Sequence, residues 1–377
     1  MKTNLTGGGI PPTPQAGPWR PDLLGEPWVA QTIDLPMIRG RKTVATLVTT
    51  RAELAHTAKI ALLYLHGYND YFFQTHVAQT ITDLGIAFYA LDLHGYGRST
   101  LDEESRNDCW SLREYGPELS AATRYLIEER GYEHLVILGH STGGLIASLW
   151  ARSPLGAATV SALLLNSPWL DLNRPWFDRV IGTAAIDAVG NYLPNYAIVA
   201  GGSWYAHRLH VSNGGDWDFD LDMKRSRPAP VRMGWLRAIR EGQLRVHRGL
   251  ELEIPILVMA SDRSSPPLLT EQNLTSDQAG ADLAGETDTV LDVQQIVDRA
   301  PNLGTNGTVT QIRGGNHDLA LGNPASRAAY LATIEQWLTE HGFATPKHTE
   351  AADKALVPGP NVSDDRASEV PLDGSQP

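Results

Sequence analysis

The sequence predicts an α/β fold: a mostly parallel central sheet with helices on both faces and an inserted cap. Three observations predict it. Short, continuously apolar segments recur along the chain, among them "IALLYL", "IAFYALDL", "HLVILG", "SALLLN" and "IPILVMAS", and a strand that is apolar at every position is buried on both faces. Segments with helical spacing of apolar residues separate them, notably "FFQTHVAQTITDLG" and "ASRAAYLATIEQWLTEHG"; that alternation builds a parallel sheet covered on both sides. The rhythm breaks once, between about Pro168 and Leu250, over a stretch too long to be a connection.

Taken in order, residues 1–27 are rich in glycine and proline and read as an extended N-terminal segment. "WVAQTIDLP" and "KTVATLVTT" alternate apolar and polar residues, which suits an antiparallel edge pair. The first half of the core then runs over 28–167, with "LREYGPELSAATRYLIEERG" (112–131) as one long amphipathic helix stopped at Gly131. The second half, 251–342, holds the strand "IPILVMAS", a helix from about Asp292, the strand "TVTQIRGG" and a last helix. Residues 343–377 carry few large apolar side chains, and disorder is expected there.

Residues 168–250 read as a cap, and they hold half of the 10 tryptophans: Trp169, Trp176, Trp204, Trp217 and Trp235. Trp176 and Trp204 are candidates to line a substrate pocket, although cap tryptophans can equally form the cap's own core. Within it, "GDWDFDLDM" alternates acids with Trp217, Phe219 and Leu221. The pattern predicts an extended segment with its apolar side packed; it lacks the central glycine and closing glutamate of a calcium loop.

The chain has 377 residues, 42% hydrophobic and 20% charged, as in a globular protein. A net charge of −12 opposes a nucleic-acid surface. No apolar run approaches the roughly 20 residues that span a bilayer, so no integral membrane segment is expected. The N-terminus lacks the charged-then-apolar order of a signal peptide, which makes a cytoplasmic protein the expectation. Cys109 is the only cysteine, best read as a small buried residue. No H-E-x-x-H and no paired Cys/His spacing occurs, and "HGYGRS" lacks the third glycine and the helix of a dinucleotide loop. Neither a metal nor a cofactor is expected.

One stretch carries chemistry. In "ILGHSTGGLIA" (137–147) a strand must become a helix at Ser141, with Gly139 and Gly143 on either side. A serine on so sharp a turn projects its hydroxyl beyond the carboxyl ends of the strands, where open parallel sheets bind ligands. Bulk two residues away would close the turn, and the helix that follows aims its N-terminal amides at the same point. Ser141 is the candidate nucleophile.

Around it, "YLHGYND" (64–70), "ALDLHGYGRS" (90–99), "GHSTGG" (139–144), "LLLNSPWLDL" (163–172), "DTVLDVQQI" (288–296) and "GGNHDLAL" (314–321) follow in an order and spacing that resembles the α/β-hydrolase superfamily. Within it they resemble the capped serine aminopeptidase S33 branch, which includes monoacylglycerol lipases and lysophospholipases. The resemblance covers roughly residues 28–342. It implies the α/β-hydrolase fold, Ser141 as nucleophile, His317 as general base, and the backbone amides of Tyr68 and Thr142 as the oxyanion hole. His66 and His140 also end strands, with structural roles expected.

The acid that orients His317 is less determined. Asp262 directly follows the strand "ILVMAS". Asp288 lies beyond a polar stretch, nearer in the chain to His317, in a segment that resembles the family's acid turn. Asp288 is preferred. Asp262 would then shape the strand end, Asp292 would cap a helix, and the Asp318 side chain would point elsewhere.

These readings give a serine hydrolase for a small-molecule carboxylic ester, with an apolar acyl or aryl group and an acyl-enzyme intermediate. An aminopeptidase or amidase is the alternative, with cap carboxylates such as Asp216 or Asp218 holding a substrate amine. A non-catalytic binding scaffold on the same fold is a third reading. Fold and reactive groups leave the substrate and the oligomeric state open.

Overall fold

The computed structural model describes residues 15–55, 58–172, 189–198, 204–226, 230–265 and 285–344. Among them run twelve strands: β1 (Gln15–Ala16), β2 (Arg20–Pro21), β3 (Trp28–Ile38), β4 (Arg41–Thr50), β5 (Ile60–Leu65), β6 (Ala87–Asp92), β7 (His134–His140), β8 (Val160–Asn166), β9 (Ala197–Ile198), β10 (Val231–Arg232), β11 (Ile256–Ser261) and β12 (Gly307–Ile312). The helices are α1 (Arg51–Ala55), α2 (Thr75–Asp83), α3 (Gly116–Arg124), α4 (Thr142–Ala151), α5 (Pro154–Thr159), α6 (Trp204–Leu209), α7 (Met233–His247), α8 (Val293–Arg299) and α9 (Pro324–Glu340).

Ten strands form one sheet in the order β1-β3-β4-β6-β5-β7-β8-β11-β12, with β2 also on β3. The β3–β4 and β4–β6 pairings are antiparallel, as the alternating residues of β3 and β4 suggest, whereas β6, β5, β7, β8, β11 and β12 run parallel. Burial explains the continuous apolar runs. Leu63, Leu65, Ile137, Leu163, Leu165 and Val258 enter one core cluster, and Leu62, Tyr64, Val136, Leu138, Leu164 and Leu257 enter the other. Successive residues of a strand face opposite sides, so both sides must be apolar when helices cover both.

Chain order reverses on either side of β5, which lies between β6 and β7. The loops after β5 and β7 therefore diverge from a crevice at their carboxyl ends, the usual place for a ligand in such sheets.

Several expectations change in detail. The 112–131 segment is not one α-helix: a 3₁₀ turn (Leu112–Tyr115) leads into α3, and a π-turn (Tyr125–Glu129) ends it. Pro117 in the first turn suits the start of α3. The "GDWDFDLDM" pattern holds only to Phe219, which is buried, while Leu221 is 40% exposed. There the chain turns back, with Met223 and Lys224 amides donating to the Asp220 carbonyl, and the two-residue period is lost.

At the termini, β1 and β2 add to β3 within the N-terminal segment. Phe343 stacks on Trp337 at 6.5 Å, against the second core cluster. The tail from residue 345 lies outside the described residues.

Candidate active site

The strand-to-helix turn at Ser141 has the strained conformation its glycines imply: φ is 53° and ψ is −115°. A non-glycine residue held there costs on the order of 1–3 kcal/mol and persists only where its surroundings impose it. Here the surroundings are backbone. A Cβ on Gly139 would meet the Gly143 carbonyl oxygen at 2.6 Å, and one on Gly143 would meet the Leu65 and His66 oxygens at 2.4 Å. Glycine at both positions lets β7, α4 and the end of β5 close on one another.

The structure brings Ser141, His317 and Asp288 into one chain of hydrogen bonds. Ser141 Oγ lies 3.0 Å from His317 Nε2, and His317 Nδ1 lies 3.0 Å from Asp288 Oδ2. The other Asp288 oxygen accepts the amides of Val290 and Leu291 at 2.8 Å each, which fixes the carboxylate plane. Asp288 arrives there because the chain, after leaving β11, returns and pairs with it: Asp288 N donates to the Arg263 carbonyl, and Ser265 N to that of Asp288. Ser141 is 7% and His317 4% exposed, and burial of this degree strengthens each of these interactions.

The competing aspartates are occupied elsewhere. Asp262 is exposed, and its Oδ1 accepts the Gly314 amide at 2.9 Å. Asp292 caps α8 by accepting from Gln294 N. Asp318 turns inward to Asn166 Nδ2 at 2.8 Å and Gln74 Nε2 at 3.2 Å.

Thr142 opens α4 directly beside Ser141. Tyr68 follows β5, whose Leu65 pairs with Gly139, and a Cβ on Gly67 would lie 3.2 Å from the serine Cβ. His66 shapes this loop: its Nδ1 donates to the Gly67 carbonyl at 2.8 Å, and its Nε2 accepts the Leu93 amide at 3.0 Å. The segments that carry Tyr68 and Thr142 thus meet at Ser141.

Trp176 lies outside the described residues, and Trp204 starts α6 with a side chain outside them. The aromatic groups beside the site are others. The Tyr68 ring packs on Trp235 at 4.3 Å, Trp235 on Trp169 at 5.8 Å, and the Trp169 amide donates to the Ser141 carbonyl. Tyr205 of α6 stands edge-on to the His317 ring at 5.6 Å and accepts the Asp318 amide at 2.8 Å. The sequence singled out none of Tyr205, Trp235 or the Trp169 amide for contact with the site; their only signal was aromatic enrichment of the cap. Of the acids considered for holding an amine, Asp218 lies 3.6 Å from His210, and Asp216 lines a cavity of about 190 Å³ with Tyr205 and Asn316. Among the described residues one set of metal-ligand type lies close together, Asp70, His140 and Asp318.

The profile of the serine aminopeptidase S33 family matches residues 56–264, more than half of the chain, including Ser141 but ending before Asp288. No functionally curated protein matches the sequence. Solved structures share the fold. A soluble variant of monoglyceride lipase from Saccharomyces cerevisiae superposes with a TM-score of 0.57 at 13% identity, covering 87% of this chain and 95% of that one. A thermostable carboxyl esterase from Bacillus coagulans gives 0.55 at 12%, covering 82% and 98%, and a lipase in its open form 0.56 at 17%, covering 82% and 98%. No helix among the described residues is long and apolar enough to cross a membrane. With its six parallel strands, its serine turn and this profile match, the chain belongs to the serine aminopeptidase S33 family of α/β-hydrolases.

Proposed function

We propose that the chain is a serine esterase that cleaves carboxylic esters with an apolar acyl or aryl group. The observation that carries this reading is the hydrogen-bonded series Ser141–His317–Asp288, with both links at 3.0 Å, on a strained turn. In the reaction the Ser141 Oγ–H proton passes to His317 Nε2 as the oxygen bonds to the ester carbonyl carbon. Asp288, through Nδ1–H, holds the tautomer whose Nε2 is free to accept and stabilises the imidazolium. The negative charge on the former carbonyl oxygen is met by the amides of Tyr68 and Thr142 and by the positive end of α4. The C–O bond to the alcohol breaks, and His317 returns the proton to that oxygen. A water then gives a proton to His317 as it attacks the acyl carbon; the bond from that carbon to Ser141 Oγ breaks, His317 returns the proton to Oγ, and the acid leaves.

The ring series Tyr68–Trp235–Trp169 supports an apolar or aryl acyl group, since Tyr68 and Trp169, both only half-buried, belong to the segments that meet at the serine turn. Monoacylglycerols and lysophospholipids fit that chemistry, and monoglyceride lipase shares the fold at low identity. A second reading, aminopeptidase or amidase, draws on Asp216, a residue that lines a cavity with Tyr205 and Asn316 and carries the charge to pair with a substrate amine.

The test assays nitrophenyl esters of rising chain length beside aminoacyl anilides, with Ser141→Ala as the blank. Hydrolysis of the esters that falls by about 10⁴-fold or more in Ser141→Ala is expected. Turnover of anilides in preference to esters would select the second reading, and an esterase rate that survives Ser141→Ala would end both.

A further inference from the structure

Behind Ser141 and His317 lies a closed charge cluster that the scheme above does not use. One carboxylate oxygen each of Asp70 and Asp318 and a ring nitrogen of His140 lie within 4.8 Å of one another, all buried. Two carboxylates in one buried space repel and demand a cation. The cap supplies it. Lys224 is 4% exposed, and its ammonium donates to Asp70 Oδ1 at 2.7 Å. The rings of Phe73, Phe219 and Tyr205 surround it at 5.6, 5.9 and 6.0 Å. A metal ion is not needed there: the ammonium already meets one carboxylate, and Asp318 accepts from Asn166, Gln74 and the Ala320 amide.

The neighbouring residues are clamped as well. Asn69 Nδ2 donates to the Arg225 carbonyl at 2.7 Å, and Arg225 N to Asn69 Oδ1 at 3.3 Å. Lys224 is thereby held against the loop that carries Tyr68.

His140 is the group most exposed to this balance. Its Nδ1 lies 3.2 Å from the Asn166 carbonyl, which can only accept, so that nitrogen carries a hydrogen. Burial pushes the imidazole down; Asp318 and Asp70 pull it up, and His317 and Lys224 push it down, with a net lowering that keeps it neutral. Removing the Lys224 charge would take away one of the influences that hold the imidazole down, beside the larger one of burial, and leave both carboxylates pulling it up. An imidazolium whose ring centre is 5.0 Å from that of His317 would oppose the charge His317 must acquire when it takes the serine proton.

We propose that Lys224 is a positioning residue of the cap: its buried ammonium compensates the carboxylates of Asp70 and Asp318 beside His140, and so sets the charge against which His317 takes up the serine proton. The cap then contributes a charge to the core's chemistry as well as a cover. This proposal rests on the serine-hydrolase reading.

The test uses the full chain with Lys224→Met, which keeps most of the side-chain volume and removes the charge, alone and with Asp70→Asn. Ester turnover and labelling by a fluorophosphonate probe are measured beside ¹⁵N NMR of the His140 imidazole. In Lys224→Met, kcat and labelling rate should fall by roughly a hundredfold or more, the scale of like charges this close at an effective dielectric constant near 20, with little change in KM. His140 should give an imidazolium signal at neutral pH where the parent gives a neutral ring, and the double variant should recover most of the rate. A His140 that stays neutral in Lys224→Met, or a double variant no better than the single one, overturns the proposal, since lost packing alone behaves that way. Should Lys224→Met fail to fold, rescue of folding by Asp70→Asn supports the charge argument and its absence overturns it. A parent chain that the probe does not label at Ser141 defeats the hydrolase reading instead, and the His140 signal still decides the charge balance.

Discussion

The Asp262 carboxylate accepts the Gly314 amide at 2.9 Å, which commits it to the start of the loop that carries His317, while the imidazole itself meets Asp288 at 3.0 Å. Two aspartates that follow the same strand thus divide the work. One holds the loop, and the other meets the imidazole. Asp288→Asn should lower turnover by about 10⁴-fold, because the amide favours the wrong imidazole tautomer. Asp262→Asn should keep turnover within about tenfold, since an amide oxygen can still accept from Gly314. Rates of both variants on one nitrophenyl ester check this, and a crippled Asp262→Asn would reverse the assignment.

The ring series Tyr68–Trp235–Trp169 offers a separate test of the acyl pocket. Trp169→Leu keeps an apolar side chain and loses the aromatic face. An aromatic contact worth about 1 kcal/mol predicts kcat/KM lower by roughly fivefold on aryl esters, with acetyl esters nearly unaffected. Trp176→Ala and Trp204→Ala should shift chain-length preference in the same way if those side chains also reach the acyl group. Equal losses on every substrate with a lower melting point would mean that the rings only pack the cap.

Arg98 joins the N-terminal segment to the core. Its guanidinium meets both Asp22 oxygens at 2.6 and 2.7 Å and Asp92 at 2.8 Å, with all three side chains buried. Arg98→Met would strand two buried carboxylates, at an expected cost of about 3–5 kcal/mol. Urea unfolding measures it; a loss below about 1 kcal/mol would show that the pairing does not hold the segment in solution.

Acid stability should depend on Asp318. Burial alone would raise its carboxyl, but His140 (once protonated in acid), Lys224 and the hydrogen bonds from Asn166 and Gln74 outweigh burial and hold it below the ordinary range. A folded-state value below the unfolded one gives stability that is present above an unfolded pKa of about 3.9 and is lost as pH falls through the folded value. Asp318→Asn should therefore be less stable than the parent at neutral pH and converge on it in acid. A constant stability difference down to pH 2 would contradict this.

Much of this architecture could be read along the chain. Leu62 to Leu65 are apolar in succession because helices cover both faces of β5, and Gly139 and Gly143 flank Ser141 because no Cβ fits where β7 turns into α4. Such features leave marks because each is a local demand of backbone geometry or burial. The π-turn that ends α3 and the exposed Leu221 left no such mark, since helical and alternating patterns do not record where the chain bends.

What the sequence determined by itself was the fold class, the serine turn and the residue types available for the chemistry. The tertiary structure decided which aspartate meets His317, that the Tyr205 ring stands against that imidazole, and that Lys224 is buried against Asp70. The reason is physical. Those contacts join segments far apart in the chain, 154 positions in the case of Lys224 and Asp70. Whether a charge is solvated or buried and paired depends on what the fold sets around it, which no local pattern encodes.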